Sequence, residues 1–422
     1  MAKIFIKTYG CSLNQSDSEV MAGLLKKAKF EIVEKSKEAD LIIINTCTVK
    51  RPTEKRFFKY LDKVKKLNKP IIIAGCIPQT DPEKVAGYSL VGTSQINNIV
   101  EIVEETINGG QLISLTKDKN QRLNLPKIRK NPIVEIIPIC EGCLGEPCAY
   151  CKVKSARGDL RSYPKEEILK QINKAIRERV KEVWITSQDT GCYGKDIGEN
   201  LISLLKEIIK IPGDFKIRLG MLNPNHILEY LDELIEVYKS EKMFKFLHIP
   251  VQSGNDEILK AMRRKYIVEE FKQIIKRFKK AIPNITISTD IICGFPGETE
   301  EQFNDSLNLI KEIKPDVLNR SRFWPRPKTE AAEMENQVHG KETKRRSQLL
   351  TSIFHNISRM NNEKWLDWQG EVLVDEKGKD NTFIGRNFAY KPIILNGKFK
   401  LGDIVKVKIY KVTAHDLRAT FK

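Results

Sequence analysis

Near-continuous apolar runs alternate with amphipathic stretches in the first part of the chain. In chain order, the strand-like runs and the helix-like stretches between them cover residues 3–8, 17–28, 40–46, 53–67, 70–75 and 94–107. Apolar runs of this length are typical of parallel strands that are buried on both faces. The alternation therefore predicts an α/β domain with a doubly wound parallel sheet over residues 1–115.

A second alternation fills the middle of the chain and predicts a parallel barrel. Strand-like runs occur at 133–139, 181–187, 215–221, 244–251, 285–292 and 317–323. Helix-like stretches occur at 164–179, 199–210, 227–240, 255–280, 299–313 and, leading out of the domain, 338–365. Because the complete barrel has eight strands, six repeats predict a partial (β/α)6 barrel over residues 133–360.

The remaining two segments do not continue either alternation of strands and helices. Residues 116–132 contain six basic residues, one acidic residue and two prolines, which predicts a solvated basic linker, with a specific RNA contact as the alternative. Residues 361–422 contain short strand-like runs and glycine turns, which predict a small C-terminal β-barrel. A basic module of this kind suits nucleic-acid binding and domain packing equally well.

Composition and charge indicate the kind of partner and the cellular compartment to expect. The 422 residues include 73 Lys and Arg against 55 Asp and Glu, and the net charge of +18 favours a polyanionic partner. No apolar run approaches the roughly 18 residues of a membrane span, and no signal peptide precedes the first strand. We therefore expect a cytoplasmic protein without a membrane anchor, whose nine cysteines serve metal binding or catalysis rather than disulfides.

Four of the cysteines lie close together after the first barrel strand, in the segment ICEGCLGEPCAYC. They are Cys140, Cys143, Cys148 and Cys151. Structural zinc would use all four thiolates, whereas an iron–sulfur cluster held by three of them would keep one iron open. The short spacing and the position at the C-terminal end of a barrel strand favour the cluster.

Three more cysteines each follow a different strand of the first domain. Cys11, Cys47 and Cys76 end the segments TYGC, INTC and AGC. Because the carboxyl ends of parallel strands share one edge of a sheet, we expect the three thiols to meet there and to hold a second cluster. Three buried structural cysteines are the alternative, and packing is the role expected for Cys192 and Cys293.

These pieces resemble the radical S-adenosylmethionine (SAM) methylthiotransferases over essentially the whole chain. The resemblance rests on YGC, NTC and AGC in the first domain, on GCLGEPCAYC, HIPVQSGND, DIICGFPGETEEQF and RPKTEAAEM in the barrel, and on a TRAM-type C-terminal barrel. SQDTGCYG and GRNFAYKPI resemble the archaeal and eukaryotic branch, which modifies N6-threonylcarbamoyladenosine beside the tRNA anticodon. The eukaryotic members add a membrane anchor, which we do not expect here.

The resemblance implies two 4Fe–4S clusters. Cys11, Cys47 and Cys76 would hold an auxiliary cluster, and Cys143, Cys148 and Cys151 the cluster that binds SAM. The family spacing is C-x3-C-x2-C, but four residues separate Cys143 from Cys148, so either the loop bulges or Cys140 replaces Cys143. We expect Cys143, because GCL and Tyr150 keep their family positions. A second departure is Lys328, where glycine is common in the family.

The resemblance also implies the reaction. The C2–H bond of adenine is unactivated, so the hydrogen is removed by a radical generated from SAM, the auxiliary cluster delivers sulfur, and a second SAM donates the methyl group. The SAM pocket would lie at the ends of the barrel strands. The residues expected there are Tyr150, Gln188, Asp189, Gln252, Ser253 and Asp290.

Substrate recognition is expected to use arginine and the basic surface. Arg320, Arg322 and Arg326 flank the sixth barrel strand, and a guanidinium pairs well with the carboxylate of the threonylcarbamoyl group. The expected partners are a tRNA anticodon stem-loop, an electron donor and a sulfur donor. Two alternatives stay open: methylthiolation of a ribosomal-protein Asp, and a non-catalytic RNA-binding protein that is stabilised by structural zinc.

Overall fold

The N-terminal domain contains one parallel sheet with helices on both faces. The structure, a computed structural model, describes residues 1–48, 51–117 and 120–421. The elements are β1 (Lys3–Thr8), α1 (Ser12–Lys27), β2 (Glu31–Val33), β3 (Leu41–Thr46), α2 (Arg51–Lys65), β4 (Ile71–Gly75), α3 (Cys76–Thr80), β5 (Ser89–Val91), α4 (Ile99–Ile107) and β6 (Ile113–Ser114). The strand order β2-β1-β3-β4-β5-β6, all parallel, confirms the doubly wound sheet.

The sequence pattern located the centre of this sheet and missed its edges. Strands β1, β3 and β4 coincide with the predicted apolar runs, whereas β2, β5 and β6 have only two or three residues each and form no recognisable run. Helix α1 begins at Ser12 rather than at residue 17, because Asn14, Ser16 and Asp17 are buried helical residues. These polar side chains face the barrel domain and not solvent.

Six parallel strands form the partial barrel that was predicted. Between the first two of them, β8 (Cys140–Glu141) and β9 (Arg161–Ser162) form a short antiparallel pair. The six barrel strands are β7 (Val134–Pro138), β10 (Glu182–Thr186), β11 (Lys216–Leu219), β12 (Phe246–His248), β13 (Thr286–Cys293) and β14 (Val317–Arg322). Two parallel sheets, β7-β10-β11 and β12-β13-β14, are joined by a bridge between Ile217 and Met243.

Helices lie on the outer face of the barrel and in the loops that follow its strands. They are α5 (Val153–Arg157), α6 (Lys165–Arg177), α7 (Leu201–Lys210), α8 (Pro224–Ile227), α9 (Leu231–Lys239), α10 (Asp256–Ala261), α11 (Val268–Ala281), α12 (Glu300–Ile313), α13 (Glu330–Glu333) and α14 (Gly340–Glu363). The predicted helix at 255–280 is divided, because the chain turns between α10 and α11 and places the buried Tyr266 against the backbone after β12. No described helix has the length and apolar character needed to span a lipid bilayer.

The C-terminal domain is a closed five-stranded barrel, as predicted. Its strands are β15 (Gln369–Lys377), β16 (Thr382–Arg386), β17 (Pro392–Asn396), β18 (Ile404–Val412) and β19 (Leu417–Phe421). The domain covers the N-terminal end of the parallel barrel, where Tyr390 packs against Phe244 and Phe246, near the start of β12.

The N-terminal domain covers the opposite, C-terminal end of the parallel barrel. Ser12 and Thr186 share a hydroxyl–hydroxyl hydrogen bond of 2.7 Å, and the Thr93 hydroxyl donates to the carbonyl of Ala156 at 2.6 Å. The edge of the sheet where β1, β3 and β4 end is therefore placed over the ends of the barrel strands.

The interpretation of residues 116–132 as a solvated tether is wrong. Arg122 is 5% exposed and forms ion pairs with Asp17 and Glu141. Lys127 pairs with the buried Glu135 at 2.8 Å. Part of the segment is thus a buried ionic connection between the first two domains, whereas Gln121, Lys130 and Pro132 are exposed. Residues 118 and 119 lie outside the described residues.

Candidate functional site

The three cysteines of the N-terminal domain lie at one edge of its sheet. Cys11, Cys47 and Cys76 follow the C-terminal ends of β1, β3 and β4, and these strands are neighbours in the sheet. Cys47 and Cys76 are buried and Cys11 is exposed. The prediction that the fold brings the three residues to a common edge is therefore confirmed in its geometry.

Asn14 and Gly10 bring the three cysteines close together. The side-chain oxygen of Asn14 accepts from the Cys11 thiol at 3.6 Å and from the Cys76 thiol at 4.0 Å. Gly10 has a φ of +117°, and a Cβ atom at this position would lie 2.7 Å from the Cβ of Cys47. Glycine is therefore required where the chain turns past Cys47.

The barrel cysteines separate into a group of three and one outlier. Burial raises the pKa of the Cys143 thiol most, and the nearby Cys151, Asp189, Cys148 and Cys140 raise it further, in decreasing order. Burial and Cys148 together raise the pKa of Cys151 to about 11. Cys140 is fully buried in the barrel core and its thiol lies 3.6 Å from the carbonyl oxygen of Asp189.

The spacing of the thiols in both trios suits a cluster better than a single zinc ion. Among the described residues, neither trio brings three ligand atoms within 4.8 Å of one another. Zinc bonds thiolates at about 2.3 Å, which requires closer sulfur atoms. Two donors also point at sulfur, since Arg264 donates to Cys148 and the amide of Val153 to Cys151, both at 3.4 Å. Hydrogen bonds to sulfur are a usual feature of iron–sulfur sites.

Arg157 connects the surroundings of the two trios. It ends α5, six residues after Cys151, and its guanidinium donates to Asn14 at 3.1 Å and to Asp17 at 2.7 Å. Burial raises the pKa of Cys76, while the charge and hydrogen bond of Arg157 act in the opposite direction. A residue of the barrel domain thus belongs to the site of the N-terminal cysteines.

A second buried contact holds the two cysteine segments together. Lys152, which follows Cys151, forms an ion pair with Asp81, which follows α3, and the side chains of both residues are 2% exposed. Helix α3 begins at Cys76 and packs against α5. The two trios therefore face one region between the domains.

The residues expected around SAM lie at the strand ends, and most have partners. Gln188 accepts from the amide of Gly142 at 2.8 Å, Asp189 from Gly191 and Asn223, and the Asp290 carboxylate lies 2.6 Å from the His248 ring. Ser253 is fully buried, and Gln252 has a φ of +75°. Tyr150 packs edge-on against Phe295.

The three arginines differ in position. Arg320 and Arg322 pair in register with Ile291 and Cys293, whose side chains belong to the outer core of the barrel, so both arginines are on the outer face of β14. Arg326 lies beyond β14, is 7% exposed and pairs with Glu54 at 2.5 Å. Its Nη2 atom is buried and has no hydrogen-bond partner among the described residues.

Several residues of the site were not identified from the sequence. They are Asn14, Asp17, Arg122, Glu141, Lys152, Arg157 and Arg264. Asn14, three residues after Cys11 on a helix, is the one that spacing alone would have indicated. The others form long-range contacts that no local pattern encodes.

Comparisons with known proteins agree with this geometry. Residues 137–310 match the radical SAM superfamily, residues 3–91 match uncharacterized protein family UPF0004, and residues 370–422 match the TRAM domain. Among solved structures, the radical SAM methyltransferase TsrM from Kitasatospora setae has a TM-score of 0.57 at 13% identity, covering 76% of this chain and 73% of that one. That likeness concerns the fold.

Curated relatives are similar over nearly the full length. A probable threonylcarbamoyladenosine tRNA methylthiotransferase of Pyrococcus abyssi is 43% identical across 96% of this chain and 97% of its own length. The human threonylcarbamoyladenosine tRNA methylthiotransferase is also 43% identical, across 99% of this chain and 73% of its own. With both cysteine trios in place, the chain belongs to the radical SAM family of threonylcarbamoyladenosine tRNA methylthiotransferases.

Proposed function

We propose that this enzyme converts N6-threonylcarbamoyladenosine beside the tRNA anticodon into its 2-methylthio derivative. The observation that carries the proposal is the position of Arg157, which belongs to the SAM-cluster segment and contacts the site of the N-terminal cysteines. One adenine between the domains would then be within reach of both sites. The relatives' names support the substrate.

Cys143, Cys148 and Cys151 would hold the 4Fe–4S cluster that binds SAM, and Cys11, Cys47 and Cys76 the auxiliary cluster. When bound, these groups supply one-electron cleavage of SAM and the sulfur atom. The protein's own contribution is to position them and to exclude water. Arg157 and Arg264 place positive charge beside thiolates, which offsets the negative charge that three thiolates bring to each site.

The six residues predicted for SAM are proposed to act in two ways. Gln188, Asp189 and Ser253 would shape the pocket, because their side chains already hold backbone amides of the strand-end loops. Gln252, Asp290 and Tyr150 would contact SAM. The positive φ of Gln252 supports this role, since strained backbone of this kind is concentrated at functional sites.

Arg326 is our candidate for reading the threonylcarbamoyl carboxylate. Its Nη2 lacks a partner, and it lies on the segment that packs against the cluster loop, where the amide of Ala331 donates to the carbonyl of Ala149 at 2.8 Å. Arg320 and Arg322, expected as equal candidates, are on the outer face of β14. A buried guanidinium with a free donor suits a carboxylate.

The partners proposed with this function are an anticodon stem-loop, an electron donor and a sulfur donor. None of the nine cysteines, all in the described part of the chain, forms a disulfide, which suits a reducing, cytoplasmic setting. The net charge of +18 suits RNA, so binding of tRNA should weaken steeply as salt rises.

The function is tested with anaerobically reconstituted protein, a reductant, SAM and tRNA that carries threonylcarbamoyladenosine. Mass spectrometry of the digested nucleosides should reveal the 2-methylthio product. Methylthiolation of a ribosomal protein in place of tRNA would refute the proposal, as would zinc without inorganic sulfide in the purified protein.

Substitution separates the roles of the arginines in the same assay. Arg326→Ala should reduce the preference for threonylcarbamoyl-modified over unmodified adenosine about tenfold or more, whereas Arg320→Ala should leave it unchanged. The measurement is the ratio of kcat/KM values for the two tRNAs. An unchanged ratio in Arg326→Ala would exclude this residue.

A further inference from the structure

A cluster of metal-ligand side chains lies outside the two cysteine trios. The ligand atoms of Asp189, Cys192 and His226 are all within 4.8 Å of one another, and no other group of three such residues in the described parts of the chain is as close. The chemistry proposed above does not use Cys192 or His226. Packing, the role expected for Cys192, does not explain why these ligand types converge.

Cys140 borders this group without belonging to it, because its thiol is not within 4.8 Å of all three other ligand atoms. Its thiol hydrogen-bonds with Cys192, and both thiols face the same oxygen, the carbonyl of Asp189, at 3.6 and 3.1 Å. Both cysteines are fully buried. Cys140 is the barrel thiol that does not belong to the SAM-cluster trio. Its contact with Cys192 accounts for this separate position.

We propose that Asp189, Cys192 and His226 bind one zinc ion. A thiolate, an imidazole and a carboxylate are ligands that zinc prefers, and three protein ligands leave the fourth tetrahedral position to water or to the neighbouring Cys140 thiol. Magnesium and calcium are disfavoured, because both prefer sites made only of oxygen.

The surroundings suit a metal site that is assembled before the ion binds. The Oδ1 atom of Asp189 accepts from the amides of Gly191 and Asn223 at 2.9 and 3.1 Å, which leaves Oδ2 directed at the His226 ring, 3.6 Å away. Backbone donors that orient a ligating carboxylate are typical of such sites. Burial lowers the pKa of His226, which keeps its ring neutral and able to bind a metal.

The Cys192 thiol is protonated without the ion. The hydrogen bond with Cys140, and then burial, raise the pKa of Cys192, and its S–H donates to a carbonyl oxygen. Binding of Zn²⁺ would release this thiol proton to solvent and replace the contact by a metal–sulfur bond. No electron transfer is involved.

The site would fix the loop that carries the SAM cluster. Cys140 stands three residues before Cys143, whereas Asp189 and Cys192 follow β10 and His226 is in α8. A shared ion would tie the loop after β10 to α8, next to Cys140 and directly beneath the cluster loop. This inference does not depend on the reaction, and its failure would leave the proposed function intact.

The test is metal analysis of anaerobically purified protein grown with zinc and iron. We expect about one zinc per chain beside about eight irons. Cys192→Ala and His226→Ala should lose the zinc and keep the iron. Cys293→Ala, which removes another fully buried barrel thiol, is the matched control and should keep both.

Two further measurements keep the proposal falsifiable if a variant folds poorly. Zinc K-edge absorption of the wild-type protein should indicate sulfur together with nitrogen or oxygen ligands, and added Zn²⁺ should raise the Tm of zinc-depleted wild type but not of His226→Ala. Zinc that persists in both variants, zinc that disappears only with the Cys11, Cys47 and Cys76 substitutions, or a Cys140–Cys192 disulfide would overturn it.

Discussion

At the scale of single residues, the site depends on how closely the chain segments approach one another as much as on the cysteine ligands. Gly10 precedes Cys11 and touches Cys47, so it determines how near two of the three N-terminal thiols can come. The positive φ and the short Cβ distance act together, because an alanine would be strained in its backbone and would also push against Cys47. The cysteines alone do not define the site.

Gly10→Ala should therefore impair the auxiliary cluster. We expect iron per chain to fall from about eight towards about four, while reductive cleavage of SAM is retained. Gly87→Ala is the matched control, since Gly87 also has a positive φ but has no atom within 4 Å of the added Cβ. Equal iron content in the two variants would contradict this account.

The sequence predicted the cysteines at this scale and missed the charged residues between them. Cys11, Cys47 and Cys76 could be placed together because strand ends of a parallel sheet share an edge. Arg157, Asp17 and Arg122 could not, because their contacts span more than 100 residues. Because these residues are charged, they would be expected at the solvent-exposed surface, and only the docking of the two domains buries them.

At the scale of elements, α3 and α5 determine how the two cysteine segments meet. Each helix begins at or just after a cysteine, and the buried pair of Lys152 and Asp81 joins them. The Asp81 pKa is lowered although burial opposes this, because Lys152 and Thr80 hydrogen-bond its carboxylate. Removing Lys152 would leave the buried Asp81 with only Lys84, at 3.7 Å, as a charged partner.

Lys152→Met should destabilise the docked domains by roughly 3 kcal/mol or more, and Lys152→Met with Asp81→Leu should recover much of that loss. Thermal unfolding of the anaerobic protein measures both. Lys181→Met is the control, because its partner Asp214 is 65% exposed and such pairs contribute little. If the double variant is no more stable than Lys152→Met, the pair is not coupled as described.

The element patterns were predicted best where burial is continuous. The central strands β1, β3 and β4 and the six barrel strands have apolar cores that sequence periodicity indicates. Helix α1 began earlier than expected and the 255–280 helix was divided, because in both places a polar residue or an aromatic hydroxyl is satisfied by a distant partner. Periodicity carries no information about such partners.

At the scale of the whole molecule, the two ends of the parallel barrel have different tasks. The C-terminal end faces the cysteines, and the N-terminal end is closed by the small β-barrel. Arg218 lies among Trp184, Phe246 and Tyr390 in this closed end. A tRNA that contacts both the cysteine region and the C-terminal domain would have to pass along the side of the barrel.

The closed end also contains a protonated carboxyl at neutral pH. Burial, and then the nearby Asp375, raises the pKa of Glu182 to about 8, while Arg386 and Arg218 act against this rise. The Oε1 atom of Glu182 and the Oδ1 atom of Asp375 are both buried without hydrogen-bond partners among the described residues. Asp375 is already paired with Arg386 at 3.0 Å, which leaves Glu182 as the carboxyl that keeps the proton.

This pKa makes domain docking depend on pH. An unfolded glutamate releases its proton near pH 4.3, whereas folded Glu182 keeps it to about pH 8, so the folded state binds the extra proton and loses stability as pH rises through this window. Glu182→Gln removes the titration and keeps the shape. The variant should gain Tm over wild type by a margin that increases between about pH 6 and about pH 8 and then levels off.

Glu207→Gln is the matched control for this experiment. Glu207 is on the surface, and its pKa is lowered by the side-chain hydrogen bond from Lys210, so it is ionised in both states throughout this range. Its substitution should shift Tm by a small, pH-independent amount. If the difference in Tm between wild type and Glu182→Gln is equally large at about pH 6 and about pH 8, packing and not the buried proton controls the closed end of the barrel.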